Sequence, residues 1–455
     1  MSGHENRLYR LSHFGDAACK LRVAAWLAVV LAAAAIERTQ AEDWPSWRGP
    51  RHDGRAVAAK LPNPWPTEAP QPLWTQALGE GWASPIVVDG RVFVVDRRDA
   101  VERAAAYDAA TGSLLWERTN PVDFDPHPVG RRHGNGPKAT PVYSDGKVYT
   151  LGIAGWLQCL DTRSGAVVWT KNLPAEFGAV QPLPDNRAFV QQEDYVVVPI
   201  GEGRGAPVPL FGYTGSPLVV DDLLVTSVGG ARGGTIMAFD KRTGAVAWKA
   251  FEENTSYSSP ILAAPAGRRQ IVVATGPQLV GLNIADGKKL WDVPYQNQYD
   301  ETISTPVVIG DHVLLTAVGR PLSAWRLVPE GDGFRAAEAW ENHDMSSYLS
   351  SVVADDRHVF GMNDGGEWNC ADLRDGKLLW RGGNHGYYCT PIWADDRLLA
   401  LNEQGELAVI AADPQGFRQL AMNKLTDEAT WTSPAVVGNR LFIRSQSKLL
   451  CFEYK

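Results

Sequence analysis

The sequence predicts an all-β protein, an eight-bladed β-propeller of four-stranded antiparallel blades. Three features carry that expectation: a recurring hydroxyl–proline step, a column of tryptophans in fixed register, and two chain ends that each hold part of one blade. The 455 residues include 44 Gly and 30 Pro alongside 44% apolar residues. That composition supplies a large core yet interrupts the chain too often for long helices.

A small hydroxyl residue followed by proline and an apolar run recurs at Ser84-Pro85, Thr140-Pro141, Ser216-Pro217, Ser259-Pro260, Thr305-Pro306, Thr390-Pro391 and Ser433-Pro434. Ser351-Val352 supplies a further copy without the proline. Apart from two wide early gaps the copies lie 39 to 46 residues apart, room for four short strands. The apolar runs end at tight polar turns such as Asp89-Gly90, Asp145-Gly146 and Asp395-Asp396, residues that tolerate the positive φ of two-residue hairpins.

Each third strand should end in an acidic or amide residue, a turn glycine and a tryptophan: Asp108…Gly112…Trp116, Asp161…Gly165…Trp169, Asp240…Gly244…Trp248, Asn283…Gly287…Trp291 and Asp372…Gly376…Trp380. The polar side chain bonds the turn backbone, glycine reverses the chain, and the indole wedges against the neighbouring blade. Those tryptophans are therefore read as scaffold, together with Trp340, which follows an insertion around Glu330–Gly333. Leu420 stands where the seventh unit would place its indole.

The last unit, Trp431 to Lys455, holds three strands only, whereas Pro72-Leu73-Trp74 has an outer-strand ending with nothing before it. Pairing the two closes the ring and removes open edges, so the strand near Trp74 is the expected closing strand. The expected organisation is a signal peptide over 1–41, an N-terminal extension over 42–71 packing on the propeller, and the propeller over 72–455 with an insertion at about 178–210. The apolar run Val23–Ile36 follows Lys20 and Arg22 and is shorter than the roughly 20 residues that span a bilayer. Cleavage after Ala41 would leave no membrane span and a periplasmic or secreted protein. A net charge of −8 argues against a general nucleic-acid partner. Cys159, Cys370 and Cys451 share one column of the repeat and are read as small core residues; Cys389 has no such assignment.

The column Asp-x-x-Thr/Ser-Gly-x-x-x-Trp at Asp108–Trp116, Asp161–Trp169 and Asp240–Trp248 resembles the pyrroloquinoline quinone (PQQ) repeat. That repeat marks quinoprotein alcohol dehydrogenases and their cofactor-free BamB-like relatives, and here it covers roughly residues 72 to 455. The stretches Asp43–Pro50 and Gly134–Pro137 resemble PQQ-like repeat proteins of planctomycete-type bacteria. For the dehydrogenases, the resemblance implies PQQ in the channel, Ca²⁺ held by carboxylate and amide oxygens, an Asp base and a pair of adjacent cysteines. The sequence has no Cys-Cys pair and no Cys-x-x-Cys-His haem motif. Gly-x-Ser-x-Gly, His-Glu-x-x-His and phosphate-loop motifs are also missing, and no metal site is predicted. Gly229–Gly234 lies between two strands and reads as a hairpin turn.

Residues just upstream of each innermost strand should face the channel mouth. Three positions before each proline, or its equivalent, stand Trp82, Lys138, Thr214, Tyr257, Ile303, Leu349, Tyr388 and Trp431. Nearby polar candidates are Arg131, Arg132, His133, Asn135, Glu301, His343, Asp344, Tyr348, His385, Tyr387 and Glu428. Stacking faces with a few polar groups suit a flat or sugar-like ligand, and the alternative is that the aromatics simply plug the channel. Asp123–Lys138 concentrates basic groups in an acidic protein, in a form suited to clamping a carboxylate. The long join Lys171–Tyr213 is expected to lid the channel, dock a partner or merely decorate the surface. Two functions follow. One is a scaffold that binds a small molecule, glycan or protein at its channel face without a cofactor. The other is a PQQ- and Ca²⁺-dependent alcohol or sugar dehydrogenase with Glu301 or Asp344 as general base.

Overall fold

Each hydroxyl–proline step, and Ser351-Val352 with them, opens the innermost strand of a four-stranded antiparallel sheet, and eight such sheets make up the propeller. The computed structural model describes residues 42–124, 128–178, 211–229, 234–297 and 302–455. The expected signal peptide at 1–41, nearly all of the 178–210 insertion, and Glu301 lie outside them. Among the described residues no helix is long and apolar enough to cross a membrane.

Blade 1 shows the common plan, with strands Ile86–Val88, Arg91–Arg98, Val101–Asp108 and Leu114–Pro121 running from channel to rim. Its first hairpin turns on Asp89 at φ 51° and Gly90 at φ 70°, with Val88 paired to Arg91. Positive φ at both turn residues gives the twist that a two-residue hairpin needs. At the outer turn the Asp108 carboxylate accepts the N–H groups of Ala110 and Thr111 and the Thr111 hydroxyl. Those bonds hold its pKa below the usual carboxylate range.

The tryptophans tie one blade to the next. Trp116 Nε1 donates to Thr162 O at 2.8 Å, Trp169 to Lys241 O at 3.0 Å, and Trp248 to Ile284 O at 2.9 Å. Trp340 and Trp380 repeat the bond to Leu373 O and Asp413 O. Each of the first four indoles lies over the turn glycine of the following blade; a Cβ on Gly165 would stand 2.5 Å from the Trp116 ring. Within its own sheet every indole faces a small residue: Ala106 opposite Trp116, Cys159 opposite Trp169, Cys370 opposite Trp380, Cys451 opposite Trp74. This pairing explains the cysteine column; all three thiols are buried and free.

Blade 4 departs from the plan. Trp291 donates to Gln270 Oε1 of its own sheet, because blade 5 replaces the tight turn with the long hairpin Arg320–Glu330 and Gly333–Asn342. Gly333 of that hairpin packs against the Leu290 carbonyl. Blade 7 has Leu420 in the tryptophan position, and an indole reaches that region from the N-terminal extension instead. Trp65 Nε1 donates to Asn423 Oδ1 of blade 7 at 2.7 Å, and its ring lies 4.5 Å from that of Tyr454 beside blade 8.

The ring closes as expected. Ala435–Val437, Arg440–Arg444 and Lys448–Glu453 are completed by Trp74–Ala77, with Trp74 paired to Cys451. Trp74 also donates to Ala109 O of blade 1 at 3.2 Å, so the closing strand carries the same inter-blade bond. Upstream of it, residues 43–56 run along the inner strands. Trp44 bridges Val87 of blade 1, Pro45 O accepts from Tyr143 of blade 2, and Gly54 and Ala56 bond Trp393 of blade 7. Buried Arg48 donates to Val352 O of blade 6 at 2.7 Å. The extension thus joins blades on opposite sides of the ring from within.

Candidate functional site

The hydroxyls of the Ser/Thr-Pro column form a ring around the channel. Ser84 N–H donates to Thr140 Oγ1 at 3.1 Å, Thr140 N–H to Ser216 Oγ at 2.9 Å, and Ser216 N–H to Ser259 Oγ at 2.9 Å. Thr305 N–H donates to Ser351 Oγ, Ser351 N–H to Thr390 Oγ1, and Ser433 N–H to Ser84 Oγ. At six of the eight junctions the hydroxyl of one blade thus satisfies the first inner-strand amide of its neighbour, which is why the column favours a short hydroxyl side chain. Thr305 Oγ1 instead accepts the Trp47 indole N–H at 2.8 Å. The extension seats that ring against the hydroxyls.

Two residues upstream on an extended chain puts a side chain on the same face. The eight mouth positions accordingly line one cavity of about 200 Å³ together with Trp47 and six of the hydroxyl column. Around blades 7, 8 and 1, Tyr388 stacks on Trp431 at 4.4 Å and Trp431 on Trp82 at 5.0 Å, with ring planes within 25°. Trp431 thus stacks with two rings. His133 approaches Trp431 at 5.2 Å and meets Phe211 edge-on at 5.3 Å; Phe211 meets Tyr257 at 5.4 Å. These contacts make a nearly continuous aromatic wall.

Lys138 is the cationic side chain in that wall. Its Nζ donates to Phe211 O at 3.1 Å and Gly134 O at 3.4 Å, and burial lowers its pKa to about 8. His133 is pushed down to about 4, first by burial and then by the Arg132 and Lys138 charges. Its carbonyl accepts the Trp82 indole N–H at 2.9 Å. The basic segment therefore contributes directly to the cavity, through the 3-10 turn Pro128–His133.

A charged cluster anchors that segment. Arg97 donates from Nη1 to Phe124 O at 3.0 Å and to Asn135 O at 3.1 Å, clamping both ends of the loop. Beneath it Arg103 pairs with Asp96 at 2.5 Å, the two side chains 5% and 0% exposed. Asp96 also accepts Gly79 N–H, while Arg444 donates to Gly79 O at 3.0 Å.

Of the residues singled out from sequence, Trp82, His133, Lys138, Tyr257, Tyr348, Tyr388 and Trp431 meet in the cavity. Others sit elsewhere. Arg131 and Arg132 are exposed beside the wall, where Arg132 Nε contacts His133 Nε2 at 3.1 Å. Asn135 is a loop anchor. His385 is buried and bonds Gln419 Oε1 at 2.8 Å beside Trp368 and Phe417. Tyr387 is exposed, and its N–H donates to Glu403. His343 is exposed beside Glu341. Asp344 pairs with Arg381 away from the cavity, and Glu428 binds Ser445, Ser447 and Lys448. Trp47, Phe211 and Cys389 line the cavity without having been predicted. The Asp43–Pro50 stretch was the signal for Trp47.

Comparison with known proteins places the chain among propellers of this type. The family model described as outer membrane protein assembly factor BamB matches residues 65–123 and 100–382. BamB of Shewanella oneidensis is 22% identical over 386 residues, covering 76% of this chain and 89% of that protein. The dehydrogenase subunit of the quinone alcohol dehydrogenase of Komagataeibacter europaeus is 27% identical over 184 residues, 39% of this chain. The chain spans only 20% of that subunit's length. Among solved structures, BamB from Moraxella catarrhalis superposes with a TM-score of 0.60 at 16% identity, covering 85% of this chain and all of that one. Identity at that level speaks for the fold alone.

Proposed function

The chain belongs to the family of the outer membrane protein assembly factor BamB, and from that premise we propose that it is an exported binding scaffold that takes its ligand in the channel mouth. The observation that carries this reading is the cavity itself, lined by Trp47 and by a wall of aromatic rings. A rigid ring with a lined depression suits recognition, since no side chain has to move far to meet a ligand. The BamB relatives, named for work at the outer membrane, support export.

The dehydrogenase reading finds less support. Ca²⁺ takes six to eight oxygen ligands, typically including carboxylates. The described lining offers hydroxyls, aromatic rings, His133 and Lys138, but no carboxylate or amide side chain. The described residues do not fit PQQ with Ca²⁺, and no step is assigned to it.

Reconstitution tests the choice. Purified protein incubated with PQQ and Ca²⁺ is expected to show no quinone spectral change and no dye reduction over a panel of alcohols and sugars. Dye reduction that requires PQQ would overturn the scaffold reading.

A further inference from the structure

Four hydroxyls that line the cavity, on Ser216, Ser259, Ser351 and Thr390, each accept a backbone N–H from the adjacent blade. Each accepts a single N–H there and retains an O–H proton to donate and one further lone pair. Lys138 uses two of its three N–H donors on Phe211 O and Gly134 O; among the described residues the third has no partner. The described lining thus offers hydrogen-bond donors and a cation with no facing carboxylate, inside a wall of rings. Each sugar hydroxyl brings an O–H donor as well as acceptor lone pairs, and would want carboxylates or amides opposite its proton. An anion with an apolar body matches the Lys138 ammonium, the O–H donors and the surrounding rings.

Resting on the scaffold reading, we propose that the channel mouth recognises a carboxylate joined to a planar aromatic body. Lys138 and the hydroxyl ring receive the carboxylate, and the wall around Tyr257, Phe211 and Trp431 receives the ring. The same chemistry occurs in a free aromatic acid and in the C-terminal aromatic residue of a polypeptide. The cavity of about 200 Å³ has room for one such group.

The test uses the full chain and four probes: indole-3-acetate, indole-3-acetamide, and a pentapeptide ending in tryptophan with its C-terminus free or amidated. Calorimetric titration is expected to show each acid binding at least tenfold more tightly than its amide. Preference for the peptide acid over indole-3-acetate assigns the polypeptide source; the reverse order assigns the free acid. Lys138→Met, checked for an unchanged Tm, is expected to abolish the acid–amide difference while amide binding persists.

Affinity for the acids is also expected to fall about tenfold per pH unit above about 8, as the ammonium loses its proton. Over pH 6 to 9 His133, which faces Lys138, does not change charge, since it titrates near 4. The Tyr388 phenol is raised, chiefly by burial, and Glu403 accepts that residue's backbone N–H. Equal affinity for acid and amide, or an acid preference that survives Lys138→Met, contradicts the carboxylate proposal and leaves the scaffold reading in place. Binding unchanged by Trp431→Ala contradicts both, because the ligand would then sit outside the channel.

Discussion

Gly112→Ala is expected to destabilise the propeller by about 3 kcal/mol, while Gly90→Ala costs about 1 kcal/mol. Both glycines sit in the left-handed region, at φ 73° and 70°, so a side chain strains the backbone equally at either site. They differ in what a Cβ would meet. At Gly90 there is nothing within 4 Å; at Gly112 the Trp74 ring lies 2.6 Å away. Trp74 closes the ring and cannot retreat without giving up its bond to Ala109 O. The difference between the two substitutions therefore isolates the indole-on-glycine contact from the backbone cost. Urea unfolding with an unchanged slope measures it. Equal losses would mean that the tryptophan column contributes little to holding neighbouring blades together.

Asp96→Ala should cost about 3 kcal/mol, because it leaves the buried Arg103 guanidinium with only the half-exposed Glu117, at 2.9 Å, as ion-pair partner. The loss should exceed that from Arg269→Ala, whose partner Asp221 lies at the surface with both side chains 54% exposed; such a pair contributes about 0–1 kcal/mol. Adding Arg103→Met to Asp96→Ala is expected to recover part of the loss, since the buried charge that has lost its buried partner is then removed and Glu117 is left half-exposed to solvent. The cluster also supports Arg97 and the loop it clamps, so amide exchange over residues 128–138 should quicken in the single variant. A loss below about 1 kcal/mol would show that the ion pair is no more than a surface pair in effect.

The scaffold was readable because the repeat writes each physical requirement in the same place every time. Asp108, Gly112 and Trp116 serve one turn and one blade contact, and the spacing recurs wherever that contact does. The mouth column was readable for the same reason: a residue two steps before the hydroxyl must share its face. The hydroxyls were visible as a pattern, yet their role was not, since the partner of each lies in the next blade. Trp47 and Trp65 belong to no repeat, so nothing in their spacing tells that one seats against Thr305 and the other packs beside Leu420's blade. His385 and Asp344 looked like mouth residues by proximity in sequence. In the fold each is held by a partner in the adjoining blade, Gln419 and Arg381.

The account rests on the channel mouth being a binding site, and a crystal of the full chain soaked in indole-3-acetate tests it most directly. The predicted result is difference density between Trp47 and Trp431, with a carboxylate oxygen within about 3 Å of Lys138 Nζ. Density for the acid only on the outer surface, with the mouth holding ordered water alone, would contradict it.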